Sequence, residues 1–332
     1  MGDSQIHNGQ EKLIAVVLPT YNGLPYVKEA VNSVLNQTYT DFEFLICDDA
    51  STDGTWEYLQ SLQDPRIKLF RNPQNKGLFP TLNFLIRQAY AQWIHLWSQD
   101  DVMYPFCLEE EVHFARRHPD VPFFFSQRDI IDTRGEIVEK YDNRYNNELI
   151  SERHLIKVSI LAGSVTGNIA NTVVRKSAVE RAGYFNEQMR YSADFDMWER
   201  LSRGKEIGVI NKALIQLRQH KGQLSRQHKV KIYQLRENRE ILIRWISRID
   251  EEKIRKKAIR GINWKIKPMF FAFGLDMLKD KEYSTAKQYF RELHRWENLF
   301  TLSLKFIILK ILDLFRLRKK FYWILFYKGY YE

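Results

Sequence analysis

The stretch Trp93–Asp101, WIHLWSQDD, decides the fold. Its apolar and aromatic first half predicts a buried strand, and its last two residues are adjacent carboxylates. Ligands of open α/β sheets bind beyond the carboxyl ends of the strands. Two acids at such an edge need a positive partner, and a divalent cation that carries a phosphate-rich substrate is one candidate. The alternative is that the aspartates cap the N-terminus of a following helix.

The residues before this stretch repeat a pattern of strand followed by helix. Apolar runs predict strands at 13–18, 42–47 and 67–70. Helical spacing of apolar residues predicts helices at 24–37, 56–62 and 78–88. This alternation is typical of a doubly wound, mostly parallel α/β sheet. Thr20, Asp48 and Asp49 follow such strands directly, so we expect them to meet Asp100 at one edge of the sheet.

Composition narrows the class of protein. The 332 residues are 44% hydrophobic and carry a net charge of +10, which suits a globular protein with anionic partners such as phosphorylated ligands, anionic lipid or nucleic acid. Cys47 and Cys107 form neither a disulfide framework nor a zinc pattern, and they fit a reducing cytoplasm. The polar N-terminus has no signal-peptide pattern, and no uncharged apolar run is long enough to predict a transmembrane helix.

Four motifs, in order, resemble family 2 inverting glycosyltransferases with the GT-A fold. They are VLPTYN at 17–22, ICDDASTDGT at 46–55, NKG at 75–77 and SQDD at 98–101. The resemblance extends over about residues 13–220 and implies a Rossmann-like, doubly wound, mostly parallel sheet with a C-terminal helical extension. It also implies a nucleotide-diphosphate sugar as the donor, with UDP- or dTDP-linked sugars favoured. Ala50 departs from the glycine usual at its position.

The same resemblance implies which residues bind the donor. They are Pro19, Thr20, Tyr21, Asn22, Asp48, Asp49, Lys76, Gln99, Asp100 and Asp101. Asp49 would accept hydrogen bonds from the base or the ribose, since a carboxylate suits ring N–H and hydroxyl donors. Turn formation and capping remain the alternative for Asp48 and Asp49, and a solvated loop lysine is the alternative for Lys76.

The resemblance further implies a divalent cation, Mg²⁺ or Mn²⁺. Asp100 corresponds to the metal-binding acid of the family's D-x-D motif, whose first acid is replaced here by Ser98. His220, in a segment that resembles the family's Arg-x-His element, is a second candidate ligand. Arg218 and Lys221 of that element are expected to offset phosphate charge.

A second chemical centre is expected at SADFDMWERL, 192–201, which resembles the family's Glu-Asp-x-Asp-Leu-Trp segment with Ala193 at the glutamate position. Inverting sugar transfer needs a carboxylate to take the proton of the acceptor hydroxyl. The resemblance assigns this role to Asp194. Asp196 is the alternate base, although an acid favoured by the helix dipole is the simpler interpretation of it.

The predicted organisation is a glycosyltransferase domain at 12–225, with a nucleotide-binding half at 12–101 and an acceptor half at 102–225. A helical region at 226–332 ends in a basic, amphipathic, aromatic-rich tail at about 302–331. The tail suits an anionic membrane surface. Its docking on the protein's own core, or on a second copy in a homo-oligomer, is the alternative. The residues expected at the membrane are Lys305, Lys310, Arg316, Arg318, Lys319, Lys320 and Trp323.

These features together predict a cytoplasmic inverting hexosyl- or deoxyhexosyltransferase held at the inner face of the cell membrane. Its acceptor would be a hydroxyl of a lipid-linked or growing polysaccharide, as in cell-envelope biosynthesis. A catalytically lapsed sugar-nucleotide-binding relative is one alternative, because Ser98 and Ala193 depart from the family pattern. A nucleic-acid-binding protein is the other, but the basic residues concentrate late in the chain and we find no nucleic-acid motif, so no nucleic-acid partner is expected.

Overall fold

The computed structural model describes residues 12–141, 147–162, 164, 168–220, 222–223 and 228–322. The chain divides into two compact units. The first unit comprises residues 1–151, 168–188 and 200–220, and the second comprises 152–167, 189–199 and 221–332. Two segments of the predicted 12–225 domain, 152–167 and 189–199, therefore cluster with the C-terminal helices.

The first unit is built on one sheet. Its strands are β1 (Ile14–Thr20), β2 (Phe42–Asp48), β3 (Ile67–Arg71), β4 (Trp93–Leu96), β5 (Val102–Met103), β6 (Phe123–Ile131), β7 (Ile137–Glu139), β8 (Leu149–Ile150), β9 (Thr172–Arg175) and β10 (Ile207–Arg218). The strand order is β3-β2-β1-β4-β9-β6-β10-β5, with β7 paired to β6 and β8 paired to β10. The first four strands of this order are parallel, whereas β9 runs antiparallel to both neighbours. The predicted α/β fold class is confirmed.

Helices make up the remainder of both units. They are α1 (Val27–Leu35), α2 (Thr55–Gln60), α3 (Leu78–Gln88), α4 (Cys107–Arg117), α5 (Glu152–Ala162), α6 (Lys176–Ala182), α7 (Ala193–Leu201), α8 (His228–Ser247), α9 (Glu252–Gly261), α10 (Lys267–Lys279), α11 (Tyr283–His294), α12 (Leu299–Leu314) and α13 (Arg318–Tyr322). Helix α4 begins at Cys107 and no earlier, because Val102 and Met103 pair with β10 as β5 and Pro105 disfavours a helical residue before it.

The core of the first unit explains why its strands read as continuous apolar runs. Every residue of β1 and β2 is buried, as expected for parallel strands covered on both faces. A polar network also lies in this core. His95 Nδ1 is 2.9 Å from both carboxylate oxygens of Glu111, and the Cys107 thiol donates to Glu111 at 3.5 Å.

The second unit is helical. Helices α10 and α11 pack against each other, and the Tyr289 hydroxyl of α11 donates to the Phe270 carbonyl of α10 at 3.0 Å. Gly274 of α10 lies against the Phe290 ring, where an added Cβ would meet a ring carbon at 2.5 Å. In the described part of the chain, no helix combines the length and the apolar character that crossing a membrane requires.

Candidate active site

The loops that follow β1 and β2 are joined at the carboxyl edge of the sheet. Thr20, the last residue of β1, is the register partner of Asp48 in β2. Four hydrogen bonds connect the loops: Asn22 N to Ser51 Oγ, 2.9 Å; Thr52 N to Asn22 Oδ1, 2.9 Å; Gly23 N to Thr55 Oγ1, 2.9 Å; and Leu24 N to Asp53 Oδ2, 3.1 Å. Asn22, expected at the donor, thus holds one loop against the other.

Asp48 and Asp49 organise the loops around themselves. The Asp48 carboxylate accepts from Ser51 N at 3.1 Å and lies 3.3 Å from Arg71 Nε. The Asp49 carboxylate accepts from three donors that close the 72–77 loop: Asn72 Nδ2 at 2.7 Å, Lys76 N at 2.9 Å and Gly77 N at 2.8 Å. These are the contacts of the turn-forming alternative. Contact with a base or ribose stays a prediction for both acids, and the exposed side chain of Lys76 leaves its role equally open.

Ala50, in the loop that follows β2, is the residue that departs from the family pattern. Ala50 has φ +64°, in the left-handed region. Glycine reaches this region without steric cost, whereas a Cβ disfavours it. The glycine usual at this position therefore has a backbone reason, and Ala50 carries strain there.

The Gln99 side chain hydrogen-bonds to the backbone of the loop that follows β1. Its Oε1 accepts from Tyr21 N at 2.8 Å and its Nε2 donates to the Tyr21 carbonyl at 3.1 Å. The fit is close, because a Cβ on Gly23 would lie 2.8 Å from the same Oε1. The Tyr21 side chain is 45% exposed. Gln99 thus positions Tyr21, and a donor contact by either residue or by Pro19 stays a prediction.

Asp100 and Asp101 have different surroundings. Asp101 is buried, and its Oδ1 accepts from Arg218 N at 2.8 Å. Burial raises the pKa of Asp101 to about 7. Asp100 is partly exposed, and its Oδ2 lies 3.4 Å from His220 Nε2. Burial also raises the pKa of Asp100, while His220 opposes the rise. Of these two acids, Asp100 is the one that lies beside an imidazole.

Arg218 is buried within the first unit. Its side chain is 1% exposed, and it lies between segments of the first unit. Its Nε donates to the Asp100 carbonyl at 3.0 Å and its Nη1 to the Asp132 carbonyl at 3.0 Å, while Nη2 pairs with Glu29. A guanidinium with these partners braces the loop that carries Asp100. All three guanidinium nitrogens are bonded within the first unit, and an effect of this charge on a phosphate stays a prediction. Lys221 lies outside the described residues.

Asp100 and His220 fit a divalent cation by their chemistry. A carboxylate oxygen and an imidazole nitrogen 3.4 Å apart suit Mn²⁺, and the oxygen alone suits Mg²⁺. Two protein ligands leave coordination positions for diphosphate oxygens and water. Among the described residues, the group with three closely spaced ligand atoms is His95, Cys107 and Glu111, which is buried in the core. Metal binding at Asp100 and His220 stays a prediction.

The predicted catalytic acids lie in the second unit, at the start of α7. Asp196 is buried and its Oδ1 pairs with the Arg244 guanidinium of α8. Asp194 is partly exposed, and the backbone N–H groups of Asp194 and Phe195 act to lower its pKa. Burial, with the charge of Glu237 adding to it, raises the pKa of Asp194 to about 6. Asp194 therefore has the surroundings of a proton acceptor, and Asp196 those of an ion-pair partner.

Sequence reasoning missed the residues of α8 that hold this segment. Glu237 accepts from the backbone N–H groups of residues 190–192, and Arg244 pairs with Asp196. A signal for Glu237 existed, because it lies four residues after Tyr233 and four before Ile241, both of which the helical spacing assigns to the core. A charged residue at a core position of a helix predicts a buried partner.

The residues expected at a membrane divide into two groups. Lys305 pairs with Glu297, and Arg318 pairs with Asp313 at 2.6 Å. Lys310, Arg316, Lys319 and Lys320 are exposed. Trp323 lies outside the described residues.

Comparison with known proteins identifies the family. The model of the family "Glycosyl transferase family 2" matches residues 15–181, about half of the chain. An uncharacterized glycosyltransferase of Rickettsia typhi is 26% identical over 220 residues, which cover 65% of this chain and 67% of that protein. Escherichia coli chondroitin synthase is 29% identical over 202 residues, 60% of this chain and 28% of the synthase. The chain spans less than two thirds of most of these relatives, for example 35% of a Rickettsia conorii glycosyltransferase.

Solved structures share the fold. A structure of S. aureus TarS 1-349 in complex with UDP superposes with a TM-score of 0.61 at 16% identity, over 89% of this chain and 90% of that one. The mannosyltransferase PcManGT of Pyrobaculum calidifontis, in complex with GDP-Man and Mn²⁺, gives a TM-score of 0.54 at 14% identity, over 89% of this chain and 86% of that one. Because the family model matches half of the chain, the protein belongs to glycosyl transferase family 2 and is a glycosyltransferase with the GT-A fold.

Proposed function

We propose that the chain is an inverting, metal-assisted glycosyltransferase that moves a sugar from a nucleotide-diphosphate donor to a hydroxyl of a lipid-linked or growing polysaccharide. One observation carries this proposal: Asp194 is a partly exposed carboxylate with a pKa raised to about 6, in the segment that resembles the family's catalytic one. A base with this pKa is ionised at neutral pH and still strong enough to accept a proton.

The reaction is a single displacement. The acceptor oxygen attacks the anomeric carbon, the bond from that carbon to the diphosphate oxygen breaks, and the hydroxyl proton passes to Asp194. Attack from the face opposite the leaving group inverts the configuration. A divalent cation held by Asp100 and His220 would neutralise charge on the departing diphosphate. Arg218 keeps the loop of Asp100 in place through its bond to the Asp100 carbonyl.

The donor is proposed to be a UDP- or dTDP-linked sugar. TarS structures in complex with UDP and with UDP-GlcNAc support a uridine nucleotide, whereas the PcManGT complex contains GDP-Man. The nucleotide would lie at the carboxyl edge of β1 and β2, beside the exposed Tyr21 ring. Calorimetric titration of UDP, dTDP and GDP, each with Mn²⁺ and with EDTA, tests this.

We expect one uridine or thymidine nucleotide to bind with Mn²⁺, and Asp100→Ala to weaken this binding. Lys68→Ala is the control, because this lysine pairs with Glu43 within the sheet, away from the loop of Asp100. No binding of any nucleotide would contradict the assignment of the donor site. Binding without transfer to any acceptor or to water would favour the catalytically lapsed alternative.

Peripheral attachment to the cytoplasmic face of a membrane is the second part of the proposal, and α12 supports it. This helix exposes an apolar stripe with heptad-like spacing: Phe300, Leu304, Ile307, Ile311 and Leu314. The opposite side of the helix is held by the second unit, because Leu302 and Leu309 are buried and the Phe306 ring contacts Phe271 at 5.6 Å. The stripe is therefore not the face that α12 uses for its own packing.

Charge favours anionic lipid as the partner of this stripe. Exposed Lys310, Arg316, Lys319 and Lys320 lie on or directly after the helix. A basic, amphipathic surface element of this kind binds anionic headgroups with its charges and the acyl boundary with its apolar side chains. A second copy of the chain would bury the stripe but gain nothing from its positive charge.

Flotation with vesicles tests the membrane proposal. We expect the wild type to float with phosphatidylglycerol vesicles and to stay behind with phosphatidylcholine vesicles. The double variant Ile307→Asn/Ile311→Asn should lose most of this binding. Ile243→Asn on α8 is the matched control, since Ile243 is 54% exposed and Ile307 is 52% exposed. Equal flotation of both variants, or a concentration-dependent dimer that only the double variant abolishes, would overturn the proposal.

A further inference from the structure

Glu237 of α8 binds the chain segment that leads into α7. Its Oε1 accepts from Arg190 N at 2.8 Å, and its Oε2 accepts from Tyr191 N at 3.1 Å and Ser192 N at 2.7 Å. Three successive backbone N–H groups thus converge on one carboxylate that is 9% exposed. Bonds from N–H groups to a buried carboxylate are strong, and their loss leaves several buried donors without partners.

The position of this contact gives it a functional meaning. Ser192 is two residues before Asp194, and α7 begins at Ala193. The dihedral angles of 190–193 set the direction in which the Asp194 side chain leaves the helix. We propose that Glu237 is a positioning residue for the catalytic base, which holds residues 190–192 and thereby fixes the orientation of Asp194. The inference rests on the proposed function, because it takes Asp194 as the base.

Other contacts of α8 keep α7 attached independently of Glu237. The Tyr233 ring contacts Tyr191 at 5.6 Å, and the Arg190 guanidinium lies 5.3 Å from the centre of the same Tyr233 ring. Arg244 pairs with Asp196 on the other side. Loss of Glu237 alone should therefore loosen the start of α7 without detaching the helix. This separation makes the function of Glu237 testable.

Electrostatics gives independent support. The negative charge of Glu237 adds to burial in raising the pKa of Asp194, while the N–H groups of Asp194 and Phe195 lower it. Neutralising Glu237 removes a repulsion from the ionised carboxylate, so the Asp194 pKa should fall. A glutamate too far from Asp194 to act on it would leave this pKa unchanged.

The test uses Glu237→Gln and Glu237→Ala in the full chain. Glu240→Gln is the matched control, because Glu240 is an exposed glutamate one turn further along the same helix. The Asp194 titration is read from ¹³C-carboxyl-labelled aspartate, with Asp194→Asn used to assign the signal. We expect Glu237→Gln to lower the Asp194 pKa and Glu240→Gln to leave it unchanged. An unchanged titration in Glu237→Gln would overturn the proposal, and this readout requires neither donor nor acceptor.

Kinetics supplies the second readout. The rate is measured as UDP release from the donor. Glu237→Ala should lower kcat about 10- to 100-fold, while the donor KM and the UDP Kd stay within about twofold. The double variant Asp194→Asn/Glu237→Ala should be no slower than Asp194→Asn, because Glu237 acts through Asp194. Additive losses, or a loss of UDP binding and thermal stability in place of kcat, would overturn the proposal. Full activity of Asp194→Asn would instead refute the base assignment of the proposed function.

Discussion

Each unit contains a pair of aspartates with one buried and one partly exposed member. The pair of the first unit is Asp100 and Asp101, and the pair of the second unit is Asp194 and Asp196. In each pair one acid is buried and bonded to an arginine. Asp101 accepts a hydrogen bond from the Arg218 backbone N–H, and Asp196 forms an ion pair with the Arg244 guanidinium. The other acid of each pair is partly exposed and has a pKa raised by burial. One carboxylate of each pair holds its segment in place, and the other is the one that we propose for metal binding or proton transfer.

The neighbours of the exposed acid distinguish the pairs. Asp100 has an imidazole 3.4 Å away, which suits a shared cation. Asp194 has backbone N–H groups and the like charge of Glu237, which suit a proton acceptor. Burial is the main cause of both raised pKa values, so the charged neighbour is what distinguishes the proposed metal ligand from the proposed base.

The largest expected effect separates the two members of the second pair. Asp194→Asn should lower kcat by about 10²- to 10⁴-fold, the usual contribution of a general base. Its melting temperature should not fall at pH 7, because a neutral amide avoids the cost of ionising a buried acid. Rates of UDP release and calorimetric melting measure both quantities. A slow variant that also melts early would mean that Asp194 has a structural function.

Asp196→Asn should show the opposite profile. Removing the charge leaves Arg244 with a weakened partner, and we expect a loss of about 2–3 kcal/mol in the free energy of unfolding. Denaturant titration of this variant beside Asp194→Asn provides the comparison. If Asp196→Asn kept its stability and lost turnover, the roles of the two acids would be reversed.

For the first pair we expect an effect of intermediate size on metal-dependent nucleotide binding. Asp100→Asn should weaken nucleotide binding about 10- to 100-fold in Mn²⁺ and have little effect in EDTA, since the side chain acts through the cation. His220→Ala should weaken the same binding by less. Equal losses with and without metal would show that Asp100 contacts the nucleotide directly.

The pH dependence sharpens the assignment of the base. Asp194 must be ionised to accept a proton, and its pKa is about 6. Activity should therefore be full above this pH, and kcat/KM should fall about tenfold per pH unit below it. A profile of kcat/KM from pH 4.5 to 8.5 measures this limb. If kcat/KM fell only near pH 4, the ordinary pKa range of aspartate, the raised pKa of Asp194 would be contradicted.

The smallest expected effect is a change in stability at Ala50, in the loop that follows β2. Ala50→Gly relieves the left-handed strain at φ +64°, and we expect the unfolding free energy to rise by up to about 1 kcal/mol. Ala115→Gly, in the buried stretch of α4, is the control and should destabilise by about 1 kcal/mol or more. Denaturant titration compares the two variants. A destabilising Ala50→Gly would show that the methyl group packs more than it strains.

The sequence predicted the features that depend on local pattern. Apolar runs and helical spacing located the strands and helices before Asp101. The expectation that parallel strand ends bring Thr20 and Asp48 to one edge is confirmed, since the two residues are register partners. The contacts of Arg218 could not be predicted, because Glu29 and Asp132 come from distant positions along the chain. The buried pair His95 and Glu111 was missed for the same reason, although Glu111 lies on the apolar stripe of α4.

The division of the chain has a consequence for how such enzymes diversify. The chain passes from one compact unit to the other at five positions, and the segment that carries Asp194 is held within the second unit by α8. Both lie beyond the 15–181 region that the family model matches. A fragment ending at 225 would therefore keep the loops of Asp49 and Asp100 but lose the helix that we propose orients Asp194. Recombination between relatives after residue 225 would replace the surroundings of the proposed base and keep the proposed donor-binding loops unchanged.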